Sequence, residues 1–227
     1  MQITPQSLVT DVQTCFVKMW LQSCTNALFE NGLQNDMLSL MYLENRNVQV
    51  AIKVNNRLTK RINVKDVEIQ GSVWSSLKGT TMMDQLNKKV MSNKDLQYFY
   101  KGDQQIPIGI RGMVDGTLGI SKCGNTSIKL NAVINSHVES QRLTLSKEKS
   151  VVIHVGKKSK CKTPCPMLKV HNSDMLEETS IKYLGNIVSS HGGITETIED
   201  RRNKGWGKVS SILGILSEVD LETEELK

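Results

Sequence analysis

The sequence predicts an α+β fold in which helices pack on one face of an antiparallel sheet and a helical segment follows. Three observations carry this. Between Ile110 and Ser121, apolar residues flank a polar Asp115-Gly116 pair, the signature of a two-residue β-hairpin turn. In residues 48–54, Val48, Val50, Ile52 and Val54 alternate with other residues, which places them on one face of a half-buried strand. Among the strand signals lie stretches of helical period, with Val73, Leu77, Leu86 and Val90 facing inward in one and Leu130, Ile134 and Val138 in another.

Taken in order, residues 7–11 read as a short strand ending in Asp11. Residues 16–28 read as a helix stopped by Gly32, and a second helix over 37–43 is capped by Asn35 or Asp36. Asn55-Asn56 turns the strand 48–54 back into residues 58–64. Gly71-Ser72 opens a helix that runs to about Met91, and Tyr98-Phe99-Tyr100 and residues 106–108 lead into the central hairpin. Ser127 caps a helix over 128–142. Residues 151–155, 168–170 and 183–188 are strand candidates. Gly192-Gly193 breaks the chain, and 194–219 reads as one or two helices with Ile198, Val209, Ile212, Leu213 and Leu216 apolar.

At 227 residues the chain can bury a core, and 23% charged against 38% apolar residues argues against disorder. Lys plus Arg exceed Asp plus Glu by 29 to 23, a net +6 that suits a polyanionic partner. No apolar run is long enough to span a bilayer, and the opening Met1-Gln-Ile-Thr-Pro is polar, unlike a signal peptide. Five scattered cysteines form no disulfide framework. An intracellular setting, nucleus or cytoplasm, with free thiols is expected.

Several short motifs share one order. Asp11-Val-Gln-Thr-Cys-Phe16 is an Asp followed five residues later by an aromatic. Gln70-Gly71-Ser72 precedes a helix, and Met113-Val114-Asp115-Gly116 forms the hairpin. Leu145-Ser-Lys147-Glu-Lys149-Ser150 and Lys182-Tyr183-Leu184-Gly185 come after it. Together, over about four-fifths of the chain, they resemble the reverse transcriptase of a non-LTR retrotransposon, and five motifs in order are more specific than any one. The resemblance implies a polymerase palm-like domain over 1–191 and the start of a helical thumb over 192–227. Its activity is RNA-directed DNA synthesis on an RNA template and DNA primer, with dNTP as substrate. Asp11 lies ten residues from Met1, so the fingers that precede this strand in the family are expected to be missing.

Nucleotidyl transfer of this kind uses Mg2+ or Mn2+ held by carboxylates and substrate phosphates. The resemblance makes Asp11 and Asp115 the catalytic, metal-binding pair; without it, Asp11 reads as a helix cap. The family has a second Asp where this chain has Gly116, a residue that suits a turn through its tolerance of positive φ. Met113 replaces the usual aromatic. Metal affinity should fall, and an impaired enzyme is expected. A non-catalytic nucleic-acid-binding relic of a mobile element is the alternative.

The remaining assignments are also implied by the resemblance. Phe16 falls where an aromatic packs under the sugar, though it equally suits the core of the following helix. Gln70 and Gly71 fall where the nascent base pair is contacted. Lys149, with Lys147 as a competitor, falls near the triphosphate, and Tyr183, Leu184 and Gly185 match the primer grip. Arg201, Arg202, Lys204 and Lys208 on the last helix, and the lysine-rich run 157–162, are candidate phosphate contacts; solvated faces are the common meaning of such runs. His154, Cys161, Cys165 and His171 could be drawn as a zinc site, but chance coincidence in a basic loop is the preferred reading.

Overall fold

The first strand, β1 (Pro5–Asp11), is covered on both faces and sets the plan of the fold. In this computed structural model, which describes residues 5–13, 15–44, 46, 48–64, 71–72, 74–101, 105–113, 115–122, 124–156 and 167–218, β1 is the middle strand of five. The others are β2 (Ile110–Met113), β3 (Gly116–Lys122), β4 (Val151–His154) and β5 (Leu176–Glu177), in the spatial order β5-β4-β1-β3-β2. Neighbours run antiparallel except the edge pair, where Val151 aligns with Leu176 in a parallel ladder.

Alternate side chains of a strand face opposite ways, and here both sides are occupied. Leu8 and Val152 join the helix-side core with Leu86, Val90, Leu130 and Ile134. Val9, Val151 and Ile153 face the other way, against Leu118, Ile181, Tyr183 and Val188. Gln6 through Thr10 are therefore buried without a break, and the Gln6 and Thr10 side chains find partners. The Gln6 amide lies 3.3 Å from His154 Nδ1, and the Thr10 and Thr117 hydroxyls bond each other across the ladder.

The helix side consists of α1 (Leu21–Glu30), α2 (Asn35–Leu43), α3 (Ser75–Met91) and α4 (Asn125–Ser140). The expected single helix over 16–28 is split. A turn, Cys15–Lys18, is separated from α1 because Trp20 is extended (φ −76°, ψ 123°), with the Arg142 guanidinium 4.0 Å from its ring centre. Neither Asn35 nor Asp36 caps α2; Gln34 precedes it without a side-chain cap bond. In α3 the buried stripe runs through Ser75, Lys78, Met82, Leu86 and Val90, which leaves Leu77 46% exposed rather than inward. Lys78, 1% exposed, sits 3.5 Å from Glu44, the partner a buried ammonium requires.

Gly124 (φ +86°), not Ser127, precedes α4. Ser127 lies inside the first turn and is buried, 2.8 Å from the Ser121 hydroxyl and bonded to Gln6. A Cβ at Gly119 would stand 3.0 Å from Leu130 Cδ2, so glycine on β3 lets α4 approach the sheet.

On the opposite face lies a hairpin, Ser180–Tyr183 with Asn186–Ser189, turned at Leu184 (φ +47°) and Gly185 (φ +76°). The strand expected over 183–188 is thus two strands, because these two residues adopt the left-handed backbone of a tight turn. After Gly192 and Gly193 comes one continuous exposed helix, α5 (Thr195–Glu218). Its first turns are anchored to the hairpin: Thr197 Oγ1 accepts from Ile187 N at 2.8 Å, and Arg201 donates to the Asn186 side chain at 3.0 Å.

Residues 48–64 form a ribbon of paired strands, turned at Asn55 and Asn56 (φ +47° and +61°). The strand 48–54 is expected to be half-buried, yet Val50, Ile52, Val54 and Ile62 are 42–61% exposed. The alternation is real, but its apolar face stands open to solvent. No helix among the described residues is long and apolar enough to cross a membrane.

Candidate active site

β1 delivers Asp11 to the hairpin formed by β2 and β3. Its register with β3 places Asp11 directly across from Gly116, and the Val12 N–H donates to the Asp115 carbonyl at 2.8 Å. On the other side, Ser146 N donates to the Asp11 carbonyl at 2.7 Å. The backbone at Asp11 is therefore fixed from two directions, and the structure brings Asp11 and Asp115 together although 104 positions separate them.

The turn itself differs from expectation. Met113 pairs with Gly116, so Gly116 is a strand residue and not part of the turn; Val114 lies outside the described residues. Gly116 belongs to β3 and has no left-handed φ. Nothing in its backbone demands glycine. A Cβ there would meet Tyr183 Cε2 at 3.4 Å, an ordinary contact, so the site has room for the start of a side chain.

Three further residues converge on this point. Lys149 Nζ lies 3.2 Å from Asp11 Oδ2, with the lysine side chain 70% and the aspartate 23% exposed. Lys147 forms no ion pair with a described carboxylate, so the structure separates the two lysines. Cys15 is buried beside both aspartates; burial, then the charge of Asp115, then that of Asp11 push its thiol up to about 12. The Tyr183 hydroxyl, 3.0 Å from the Arg111 carbonyl and 3.2 Å from the Gly116 carbonyl, ties the second hairpin to the first. Burial and then Asp115 raise the pKa of that phenol, which keeps it a donor. Sequence reasoning missed Cys15. Its position one residue before the end of a motif carries no chemical signal, and only the fold sets it under the carboxylates.

The donor set suits a hard cation in kind and is short in number. Two carboxylates offer oxygen ligands at one end of the sheet, whereas among the described residues no group of three or more His, Cys, Asp or Glu forms a metal-binding cluster. A neutral buried thiol is a poor ligand for Mg2+.

The other assigned residues lie as follows. Gly71 (φ +89°) is exposed shortly before α3. Gln70 and residues 157–162 fall outside the described residues, as does the side chain of Phe16, whose backbone is in the Cys15–Lys18 turn. Leu184 and Gly185 form the hairpin tip. Arg201, Arg202, Lys204 and Lys208 are exposed on α5, but Asp200 already binds Lys204 and, at 3.2 Å, Lys182. Hydrogen bonds from these two lysines hold the Asp200 carboxyl below its usual range. Of the drawn zinc ligands, His154 is buried between Gln6 and Glu177, and His171 lies 3.6 Å from Glu139. Cys161 and Cys165 fall outside the described residues.

No protein-family model matches the chain, and no curated protein matches it. Solved structures do. A telomerase from Candida tropicalis in complex with a TWJ fragment of telomeric RNA superposes with a TM-score of 0.56 at 11% identity, covering 84% of this chain and 29% of that one. An apo telomerase from the same organism, truncated from its C-terminal domain, gives 0.54 at 12%, covering 84% and 35%. A telomerase from Candida albicans, again with a TWJ fragment of telomeric RNA, gives 0.53 at 14%, covering 82% and 29%. The chain thus spans about a third of the length of these proteins or less. At such identities the likeness is one of fold, and the fold is that of a reverse-transcriptase-like polymerase palm.

Proposed function

We propose that the chain is the palm (1–191) and the start of the thumb (192–227) of a non-LTR retrotransposon reverse transcriptase. In this reading it engages an RNA template and a DNA primer inside the cell, in nucleus or cytoplasm, and its own catalysis is impaired. The observation that carries the reading is the register of Asp11 with Gly116, which unites two carboxylates at the mouth of a palm-like sheet. Asp11 and Asp115 are assigned to Mg2+ or Mn2+. Bound there, the cation would supply the charge that stabilises attacking and leaving oxygens in phosphoryl transfer.

The chain's own residues position the rest. Lys149 holds Asp11 and is assigned to the triphosphate of an incoming dNTP; Phe16, Gln70 and Gly71 are assigned to the nucleotide and its pair. Tyr183, with Leu184 and Gly185, is assigned to the primer. Its hydroxyl links the primer-side hairpin to the backbone of the carboxylate hairpin, so a shift of one is felt by the other. The basic residues of α5 are assigned to duplex phosphates.

A second reading, a nucleic-acid-binding relic without catalysis, is favoured by one specific pair of facts. Gly116 removes a carboxylate, and the Lys149 ammonium offsets part of the charge that remains. Manganese titration followed by electron paramagnetic resonance distinguishes the two. The polymerase reading expects a weak site that disappears in Asp11→Asn and in Asp115→Asn. Binding unaltered by either substitution would remove the catalytic assignment and leave the relic.

A further inference from the structure

The ribbon of residues 48–64 is not used by the site described above, and it has two chemically distinct faces. Between the Val50–Ile62 and Lys53–Leu58 pairs the register slips by one residue, so residues 59–61 stand opposite 51–52 as a bulge. Following the alternation through this bulge puts Val50, Ile52, Val54 and Ile62 on one face. Lys53, Lys60 and Arg61 fall on the other together with Leu58, which pairs with Lys53, whereas Arg57 pairs with Val54 and lies on the apolar side beside the turn. All four cations are exposed. There is no Asp or Glu anywhere in residues 48–64, and none of the four makes an ion pair with a described carboxylate. The contrast with α5 is direct, since there Asp200 already occupies Lys204 and Lys182. On the basic face Gln49 and Asn63 bond across the strands at 3.0 Å and add neutral hydrogen-bonding groups.

We propose that this basic face is a second nucleic-acid contact, in which Lys53, Lys60 and Arg61 grip phosphates away from the carboxylate pair. The inference rests on the reading of the chain as a nucleic-acid-binding palm and names a further surface for that partner. Charge complementarity selects the occupant. Three cations with no ion pair to a described carboxylate, along roughly 20 Å of strand, meet a polyanion that carries one charge per about 1.7 Å of duplex axis. The apolar face, by its composition, suits a protein surface instead. It is separated from the basic face by the thickness of the ribbon, so the two can be tested apart.

The test uses the full chain and two fluorescent probes, an RNA–DNA hybrid duplex and a single-stranded RNA, titrated by anisotropy from low to high KCl. The variant is K53Q/K60Q/R61Q. Its slope of log K against log salt should be shallower than wild type by about three, as loss of nearly one counterion per contact requires. Affinity at low salt should fall at least tenfold. A steeper loss on the duplex than on single-stranded RNA assigns the ribbon to paired substrate; the reverse assigns it to the template strand. Circular dichroism and melting of the variant should match wild type, because all three side chains are exposed. Should they differ, the single changes Lys53→Gln and Arg61→Gln are each expected to reduce the slope by about one. Wild-type slope and affinity in the variants would overturn the proposal, as would an equal effect from Ile52→Thr/Ile62→Thr, which leaves the charges in place. If the unmodified chain binds neither probe, the proposal and the nucleic-acid reading fall together. If it binds both and only the ribbon variant is silent, the proposal alone falls.

Discussion

Asp11 stands directly across from Gly116 in the antiparallel register, and the Lys149 ammonium lies 3.2 Å from the Asp11 carboxylate. The first carboxylate of the site therefore faces a residue with no side chain on one side and a cation on the other. An exposed lysine of this kind contributes about 0–1 kcal/mol to such a pair, so it competes weakly with a dication. Lys149→Met is accordingly expected to tighten Mn2+ binding severalfold, read from the free-ion resonance signal. Weaker binding in that variant would show that Lys149 organises the carboxylates rather than offsetting them.

The thiol of Cys15 reports on the same pair from below. With its pKa pushed up to about 12, almost none is thiolate at pH 8, whereas an unfolded cysteine is substantially ionised there. Alkylation by iodoacetamide, followed by peptide mass mapping, should proceed at Cys15 at least a hundredfold more slowly in the native chain than in urea. Asp11→Asn/Asp115→Asn should recover only part of the reactivity, since burial is the first cause of the shift and the two charges come after it. Native reactivity equal to that in urea would contradict the placement of Cys15.

Tyr183 tests the link between the two hairpins. Its hydroxyl meets the Arg111 and Gly116 carbonyls, and Tyr183→Phe removes that donor while keeping the ring against Val9 and Ile153. The loss should cost about 1 kcal/mol in urea unfolding. Hydrogen exchange should quicken in β2 and β3 near residues 111–117 and remain unchanged in α4. Exchange that rises uniformly would mean a general destabilisation and no specific link.

His137, on α4, sets a pH limit on the fold. It is 1% exposed, and burial, then the nearby Lys89, lower its pKa from 6.5 to about 4. Between these values the unfolded chain binds a proton that the folded chain does not. Stability is therefore complete above about pH 6.5 and declines as pH falls through 4. The full effect is about 3 kcal/mol. Urea melts at pH 7.5 and 5 should separate by a large part of this in the native sequence and by less in His137→Gln. Equal separation in both would place the titrating group elsewhere.

The order of strands and helices around the site was legible because each rests on local chemistry. Asp115 lies in the turn of a hairpin, Gly192 and Gly193 break the chain, and Leu130, Ile134 and Val138 repeat with helical period on a buried face. What could not be read depends on tertiary partners. Gly116 looked like a turn residue, but the register is set by Met113 and Asp11 on either side of it. Leu77 looked inward, and the rotation of α3 that exposes it is fixed by Lys78 reaching Glu44. The apolar face of residues 48–54 obeys strand periodicity whether or not anything covers it. Cys15 acquires its environment only when residues 100 positions away return beside it.

In the polymerase reading, Gly116 is the residue that limits catalysis. The isolated chain should show no measurable DNA synthesis on an RNA template, because two carboxylates, one of them paired to Lys149, concentrate too little charge for transfer of a phosphoryl group. Gly116→Asp is structurally permitted: the position has no left-handed φ, and the new Cβ would rest 3.4 Å from the Tyr183 ring. The substituted chain should fold with unchanged melting and bind Mn2+ about tenfold more tightly, as a third oxygen-ligand group joins the pair. Synthesis should remain undetectable, since positioning of the dNTP is a separate requirement that this substitution does not supply. Primer extension on an RNA template is the deciding measurement, run on the unmodified chain, on Gly116→Asp and on an Asp115→Ala control. Robust extension by the unmodified chain that disappears in the control would show that Asp11 and Asp115 suffice, and that the glycine is no impairment.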